Sequence, residues 1–199
     1  MSVKDEVFKQ LYEASDDPWE LRQRWYEQRK RALLMACLPR PLYGYAFEAG
    51  CANGETSALL AQRCKRLLCC DTAERAVALT REKLGDAAHV HIQQRRLPEQ
   101  WPQQQFDLIV LNEVGYYLDS DDLARLITLC RRSLTDDGQI VACHWRTPID
   151  GCTLDGDTVH RQLADGLQLP TLLEHSEKDF LLQLWSCDPQ SVAEHEDLD

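Results

Sequence analysis

The sequence predicts an α/β protein: a doubly wound, mostly parallel sheet with helices on both faces and an antiparallel edge strand. Three observations carry this. Past the N-terminal fifth, short apolar runs alternate with segments of helical periodicity. Each run ends at a polar or glycine-containing turn, so the carboxyl ends of the strands share one edge. The last two runs, over 171–175 and 180–186, lie too close together for a helical crossover and read as a hairpin, which reverses a strand at the sheet edge.

Taken in order, Val7, Leu11, Trp19, Leu21, Trp25, Tyr26, Leu33 and Leu34 predict two helices interrupted at Asp16-Asp17-Pro18. Residues 1–40 are thus expected to lie across the sheet edge as a lid or brace. Arg22, Arg24, Arg29, Lys30 and Arg31 cluster there and admit two readings: a solvated face balanced by Glu20 and Glu27, or an anion-recognising lid. Strands are expected over 45–49, 66–71, 89–93, 107–112 and 139–144. Helices are expected over 56–64, 73–84 and 121–134, the last with Asp121 or Ser120 as N-cap. The main domain spans 41–190, and an acidic tail over 191–199 is expected to be solvated and mobile.

The chain has 199 residues, which suits one compact domain, and its formal charge of -11 removes the general attraction to phosphate backbones that supports nucleic-acid binding. Nine cysteines, with Cys69 and Cys70 adjacent and no CxxC pair, fit free thiols in a reducing cytoplasm. No signal-like apolar run opens the chain, and none approaches the roughly 18 apolar residues of a membrane span. A soluble cytoplasmic protein, monomer or homodimer, is expected.

The stretch Phe47-Glu48-Ala49-Gly50-Cys51-Ala52-Asn53-Gly54-Glu55-Thr56 ends a strand, turns on two glycines and enters a helix. Such turns bring backbone N–H groups against a ligand at the sheet edge. Asp71 closes the next strand, where a carboxylate accepts both hydroxyl hydrogens of a ribose. A dinucleotide site asks for G-x-G-x-x-G, whereas Ala52 stands between Gly50 and Gly54, and the acid Glu48 disfavours a phosphate. That acid suits the cationic amino-acid portion of S-adenosylmethionine.

With these residues in hand, the chain resembles the class I S-adenosylmethionine-dependent methyltransferases, and more closely the nodulation-protein-S-like branch. The resemblance rests on Leu11-Tyr12, Asp17-Pro18-Trp19, Trp25-Tyr26-Glu27 with Lys30, Leu38-Pro39-Arg40 and the Gly50 turn. It continues in Leu59, Ala61, Arg63-Cys64, Asp71, Trp101-Pro102, the run 106–111, Asn112-Glu113-Val114, Tyr116-Tyr117-Leu118, His144-Trp145-Arg146, Gly156-Asp157 and Val159-His160. It implies a Rossmann-like sheet of seven strands, with the donor lying across the Gly50 turn and S-adenosylhomocysteine as product.

On that resemblance the donor contacts are expected from Trp19 and Tyr26 of the lid, Glu48, Gly50, Cys51, Asn53, Gly54 and Thr56 of the turn, and Asp71 and Thr72 after the second strand. Arg96 and Leu97 would lie near adenine, read by backbone groups with an arginine on its face, because Arg95-Arg96 stand where the class tends to place an acid. Asn112, Glu113 and Val114 follow the fourth strand. Glu113, His144 and His160 are the catalytic candidates: an acid at a strand end, and two histidines titrating near pH 6.5. Tyr116 or Tyr117 offers a face to the sulfonium. Asp150, Asp155 and Asp157 with His160 match no metal-loop spacing, and no metal is expected.

The family chemistry implied is N-methylation of a deacetylated amino-sugar or oligosaccharide, with Trp101, Trp145 and Trp185 as sugar-stacking candidates beside the plainer reading of core packing. Two other readings stay open at this point. One is a non-catalytic S-adenosylmethionine-binding protein, and the other a nicotinamide-dependent oxidoreductase, disfavoured by Ala52 and Glu48.

Overall fold

The computed structural model describes residues 1–198. Two helices come first, α1 (Asp5–Ala14) and α2 (Trp25–Cys37), joined by an irregular segment around Pro18. There follow β1 (Ala46–Ala49), α3 (Glu55–Leu60), β2 (Leu67–Asp71), α4 (Glu74–Leu84), β3 (Val90–Gln94), β4 (Phe106–Asn112), α5 (Ser120–Arg132), β5 (Leu134–Trp145), α6 (Gly156–Leu167), β6 (Thr171–Ser176), β7 (Phe180–Ser186) and α7 (Val192–His195). The strands form one sheet in the order β3-β2-β1-β4-β5-β7-β6, parallel except for β7, which is antiparallel to both of its neighbours.

Alternation along the central strands sorts the core into two layers, because successive side chains leave a strand on opposite faces. Phe47, Ala49, Ile109, Leu111, Ile140 and Ala142 face the layer that holds Leu123, Leu126 and Ile127 of α5 and Leu163 and Leu167 of α6. Ala46, Leu108, Val110, Val141 and Cys143 face Leu34 of α2 and Leu60 of α3. In α5 the buried residues Leu123, Leu126, Ile127 and Cys130 fall at i, i+3, i+4 and i+7, one stripe of the helix. Leu34 is wholly buried, a side chain whose removal from water is worth about 2 kcal/mol, so α2 is part of the core layer.

Several boundaries differ from the sequence expectation. The N-cap of α5 is Asp119, whose carboxylate accepts from Asp122 N–H, in place of Asp121 or Ser120. That helix ends at Arg132, and β5 starts at Leu134 because Phe106 and Leu134 pair across β4 and β5. The α-helix expected over 56–64 stops at Leu60 and finishes as a three-ten turn, Ala61–Arg63. In the tail expected to be mobile, Ser191 and Glu194 form a capping box that starts α7; Asp199 lies outside the described residues. Among the described residues no helix is long and apolar enough to cross a membrane.

Candidate functional site

Register brings the candidate residues to one level. Ala49 faces Cys70 on β2 and Leu111 on β4, Asp71 faces Gln94, and Asn112 faces Cys143. Gly50, Asp71, Arg95, Glu113 and His144 therefore stand at or just past the same carboxyl edge. The Gly50 and Cys51 N–H groups both donate to the Cys70 carbonyl, which folds the chain back over β2. Gly50 takes φ +71°, and a Cβ there would sit 2.7 Å from Val114 Cγ2, so only glycine fits.

Two cavities meet over this turn, sharing Gly50, Glu113 and Tyr117 in their walls. The smaller, about 120 Å³, is lined by Asp71, Thr72, Arg96, Leu97 and Val114 among others, under a roof formed by Ser2, Val3, Asp5 and Phe8. The larger, about 550 Å³, lies between the N-terminal segment and the sheet edge, with Trp19, Tyr26, Cys51, Thr56, Asn112, Tyr116 and Trp145 in its wall. Asp71 ties the floor together: its Oδ2 accepts from Ala52 N–H at 3.0 Å and its Oδ1 from Ala73 N–H at 2.9 Å.

Glu113 is the best-connected group in the larger cavity. Its carboxylate accepts from the Lys30 ammonium, the Tyr116 hydroxyl and, at 3.0 Å, the Trp145 N–H. Lys30 is 3% exposed and also reaches Glu27 at 3.0 Å. Burial works to lower the Lys30 pKa, but the carboxylates of Glu113 and Glu27 carry it above the usual lysine range. Glu113 and Ala52 both hold left-handed backbone, at φ +57° and +50°. Two polar atoms in this cavity wall, Asn112 Oδ1 and the Tyr26 hydroxyl, are buried without a hydrogen-bond partner.

Three expected contacts land elsewhere. Glu48 lines neither cavity; it is 1% exposed and accepts from the Ser57 hydroxyl at 2.5 Å. Burial, partly offset by the Ser57 and Cys69 hydrogen bonds, pushes its carboxyl up to about 7. Asn53 and Gly54 also lie behind the turn: Asn53 Nδ2 donates to Asp17 Oδ1 at 2.9 Å, fastening the inter-helix segment to the turn, and Gly54 packs on Thr80.

His144 and His160 do not reach either cavity. His144 is fully buried, accepts the Gly115 N–H at Nε2 over 2.9 Å, and meets His160 Nε2 through Nδ1 at 3.1 Å. His160 Nδ1 ends on Gln183 Oε1 at 2.6 Å. Read in sequence, these bonds put the proton on Nδ1 of both rings and leave both neutral. Burial pushes both pKa values below the ordinary histidine value, with each ring walled off from any acceptor. Their contacts are to the turn after β4, through Gly115, and to β7, through Gln183.

The other motifs resolve similarly. Asp155 caps α6 and Asp157 pairs with Arg146. Trp145 alone of the three candidate stacking rings faces the larger cavity; Trp185 is core, and Trp101 donates to Ser133 Oγ on another side. The basic cluster divides: Arg24 and Arg29 are paired at the surface with Glu20 and Glu177, while Lys30 and Arg31 are buried against Glu27, Glu113 and Glu55. On the sequence alone Lys30 and Glu27 belong to the lid without facing inward. Their three-residue spacing, which puts both on one helix face, was the available signal.

Comparison with known proteins agrees with this architecture. The family model described as Nodulation protein S (NodS) matches residues 2–154. Nodulation protein S of Sinorhizobium fredii is 37% identical over 116 residues, 58% of this chain and 53% of its own length; the chain spans about half the length of the curated relatives it matches. A Pseudomonas syringae protein, solved under a provisional methyltransferase name, is 53% identical, with TM-score 0.74 over 82% of this chain and 99% of its own. The N-methyltransferase NodS of Bradyrhizobium japonicum WM9, solved in complex with S-adenosyl-l-homocysteine, is 25% identical, with TM-score 0.81 over 93% of this chain and 98% of its own.

Proposed function

We propose, from the premise that this chain belongs to the nodulation protein S family, that it is a methyltransferase using S-adenosylmethionine and releasing S-adenosylhomocysteine. The observation that carries the reading is the pair of cavities joined over Gly50, with a carboxylate at one end and unpartnered polar atoms at the other. The residues present fit the donor. On this reading Asp71 meets the ribose hydroxyls, Thr72, Leu97 and Val114 flank the nucleoside, and Gly50 and Cys51 allow close backbone approach, a reading supported by their positions in the cavity walls. Asn112 Oδ1 and the Tyr26 hydroxyl, orphaned in the cavity wall, are the acceptors an amino-acid ammonium requires.

When bound, the donor supplies a methyl group on a sulfonium that leaves without further activation. The protein's share is alignment and exclusion of water. Glu113, already accepting from three donors, is a poor base; it and Lys30 hold the wall against which the acceptor lies. The acceptor nucleophile then arrives as a neutral amine and needs no dedicated base. Residues 1–40 serve as the lid of this site, over the domain 41–190.

For the acceptor, the reading is a deacetylated amino-sugar or its oligosaccharide, supported by the family and by Trp145 and Tyr116 in the larger cavity. A formal charge of -11 supports a small acceptor over a nucleic acid, and nine free cysteines support a cytoplasmic location. Titration calorimetry with S-adenosylmethionine and S-adenosylhomocysteine tests the donor. Micromolar binding weakened at least about tenfold by Asp71→Ala is expected, from loss of a charge-assisted hydrogen bond; no binding to folded protein would overturn it. Turnover on glucosamine-terminated oligosaccharides tests the acceptor.

A further inference from the structure

We propose that Asp5, at the start of α1, is a specificity-determining residue that accepts a hydrogen bond from the exocyclic amino group of a bound adenine; this rests on the donor assignment above. The sheet order runs β4, β1, β2, β3, so a ligand lying along the carboxyl edge passes Glu113, Gly50 and Asp71 before reaching the segment after β3. With Asp71 at the ribose, the base falls in the smaller cavity among Asp5, Arg96 and Leu97. Phe8 and Tyr117, edge to face at 4.9 Å, give that space an apolar wall suited to a flat ring.

The polar inventory of this end is nearly exhausted without Asp5. Arg95 spends its donors on Gln93 Oε1 and the Gln100 carbonyl. The Ser2 hydroxyl donates to Asp122 and accepts from Asp119 N–H. The Thr72 carbonyl accepts from Gln94 Nε2. Arg96 is drawn between Asp5 Oδ1 at 2.8 Å and Glu99 at 3.5 Å. Asp5 Oδ1 is the oxygen that faces Arg96, which leaves Oδ2 lone pairs for a ligand, and a carboxylate only accepts.

The carboxylate is also held in place. Val3 N–H donates to the Tyr117 carbonyl at 2.8 Å, and Ser2 is fastened to the α5 N-terminus, so the segment carrying Asp5 is pinned across the cavity. An amino group at C6 of a purine meets an acceptor there; a carbonyl oxygen meets like charge.

Titration calorimetry of the whole chain with S-adenosylhomocysteine and S-inosylhomocysteine tests this, using wild type and Asp5→Asn. Wild type is expected to prefer the adenine ligand by at least about tenfold. In Asp5→Asn the preference should collapse, with the loss confined to S-adenosylhomocysteine, because an amide also donates to a carbonyl. Equal weakening of both ligands, the sign of a loosened roof, would overturn the proposal, as would an unchanged preference. Wild type that binds neither ligand refutes the donor assignment itself and this inference with it.

Discussion

Lys30 and Glu113, 83 residues apart in the chain, form an ion pair across the wall of the larger cavity, with Lys30 on the second helix and Glu113 in the turn after the fourth strand. The pair joins the N-terminal segment to the sheet edge in the wall of the larger cavity.

Removing one partner strands the other. Lys30→Ala leaves Glu113 and Glu27 facing each other in a poorly hydrated space, a change expected to cost about 3 kcal/mol of stability in urea unfolding. Adding Glu113→Gln to Lys30→Ala should recover part of that loss. A double variant no more stable than the single would show that the lysine acts through packing alone.

Glu48 gives the chain an unusual pH term. Its carboxyl titrates near 7 in the fold because of burial, against about 4.5 in the open chain, so the native state holds a proton that the unfolded state releases. Its contribution is complete below about pH 4.5 and is lost as pH rises toward 7, by about 3 kcal/mol in all. Glu48→Gln keeps the neutral form at every pH. It should therefore gain on wild type between pH 5 and 8, read as the difference in urea midpoints; a constant difference across that range would exclude the assignment.

The two buried histidines act in the opposite sense. Burial holds both below the ordinary value, so the unfolded state takes up protons that the fold refuses, and stability falls as pH drops below about 6.5. Each ring contributes up to about 1.4 kcal/mol per pH unit. The slope is best measured in Glu48→Gln, where the opposing titration is absent. Nitrogen-15 chemical shifts should also place the proton on Nδ1 of both rings and keep it there alone at pH 5.5. An imidazolium signal from either ring at that pH would contradict the chain of hydrogen bonds from Gly115 to Gln183.

Gly156 opens α6 directly against the end of β5. A Cβ there would lie 2.2 Å from the Trp145 carbonyl oxygen, a backbone atom with no freedom to retreat. Gly156→Ala should cost at least about 2 kcal/mol and lower the melting temperature by several degrees. Wild-type stability in this variant would mean that α6 can slide along the sheet.

What the sequence made legible follows from how local each signal is. The alternation in β4 and β5 and the hairpin of β6 and β7 are nearest-neighbour patterns, and the strand, glycine turn, helix and acid from Phe47 to Asp71 form a local motif. Glu48 turns away from the ligand edge for a reason visible in the same strand. The period of two places it on the face of Ala46, turned toward Ser57, while a contact at the edge requires a residue beyond the last pleat. His144 is followed by one more strand residue, Trp145, and its surroundings depend on His160 of α6, beyond the next loop. Lys30 admits either a solvated helix face or an anion-recognising lid until the partner carboxylate of Glu113 is in place. Asp5 was invisible because nothing in sequence ties the first helix to the turn after the third strand.

Both Ala52 and Glu113, in the walls of the larger cavity, hold backbone conformations that glycine adopts at lower energy. Anyone seeking a hardier version of this protein would be led by backbone energetics to replace them with glycine first. At Glu113 that choice would release the Lys30 ammonium, the Tyr116 hydroxyl and the Trp145 N–H from their common acceptor. The buried ammonium stranded there costs about 3 kcal/mol or more, beyond what the relaxed backbone returns, so only at Ala52 does endurance come without a loss. The left-handed backbone of Glu113 is what the fold bears to keep a carboxylate beside Lys30.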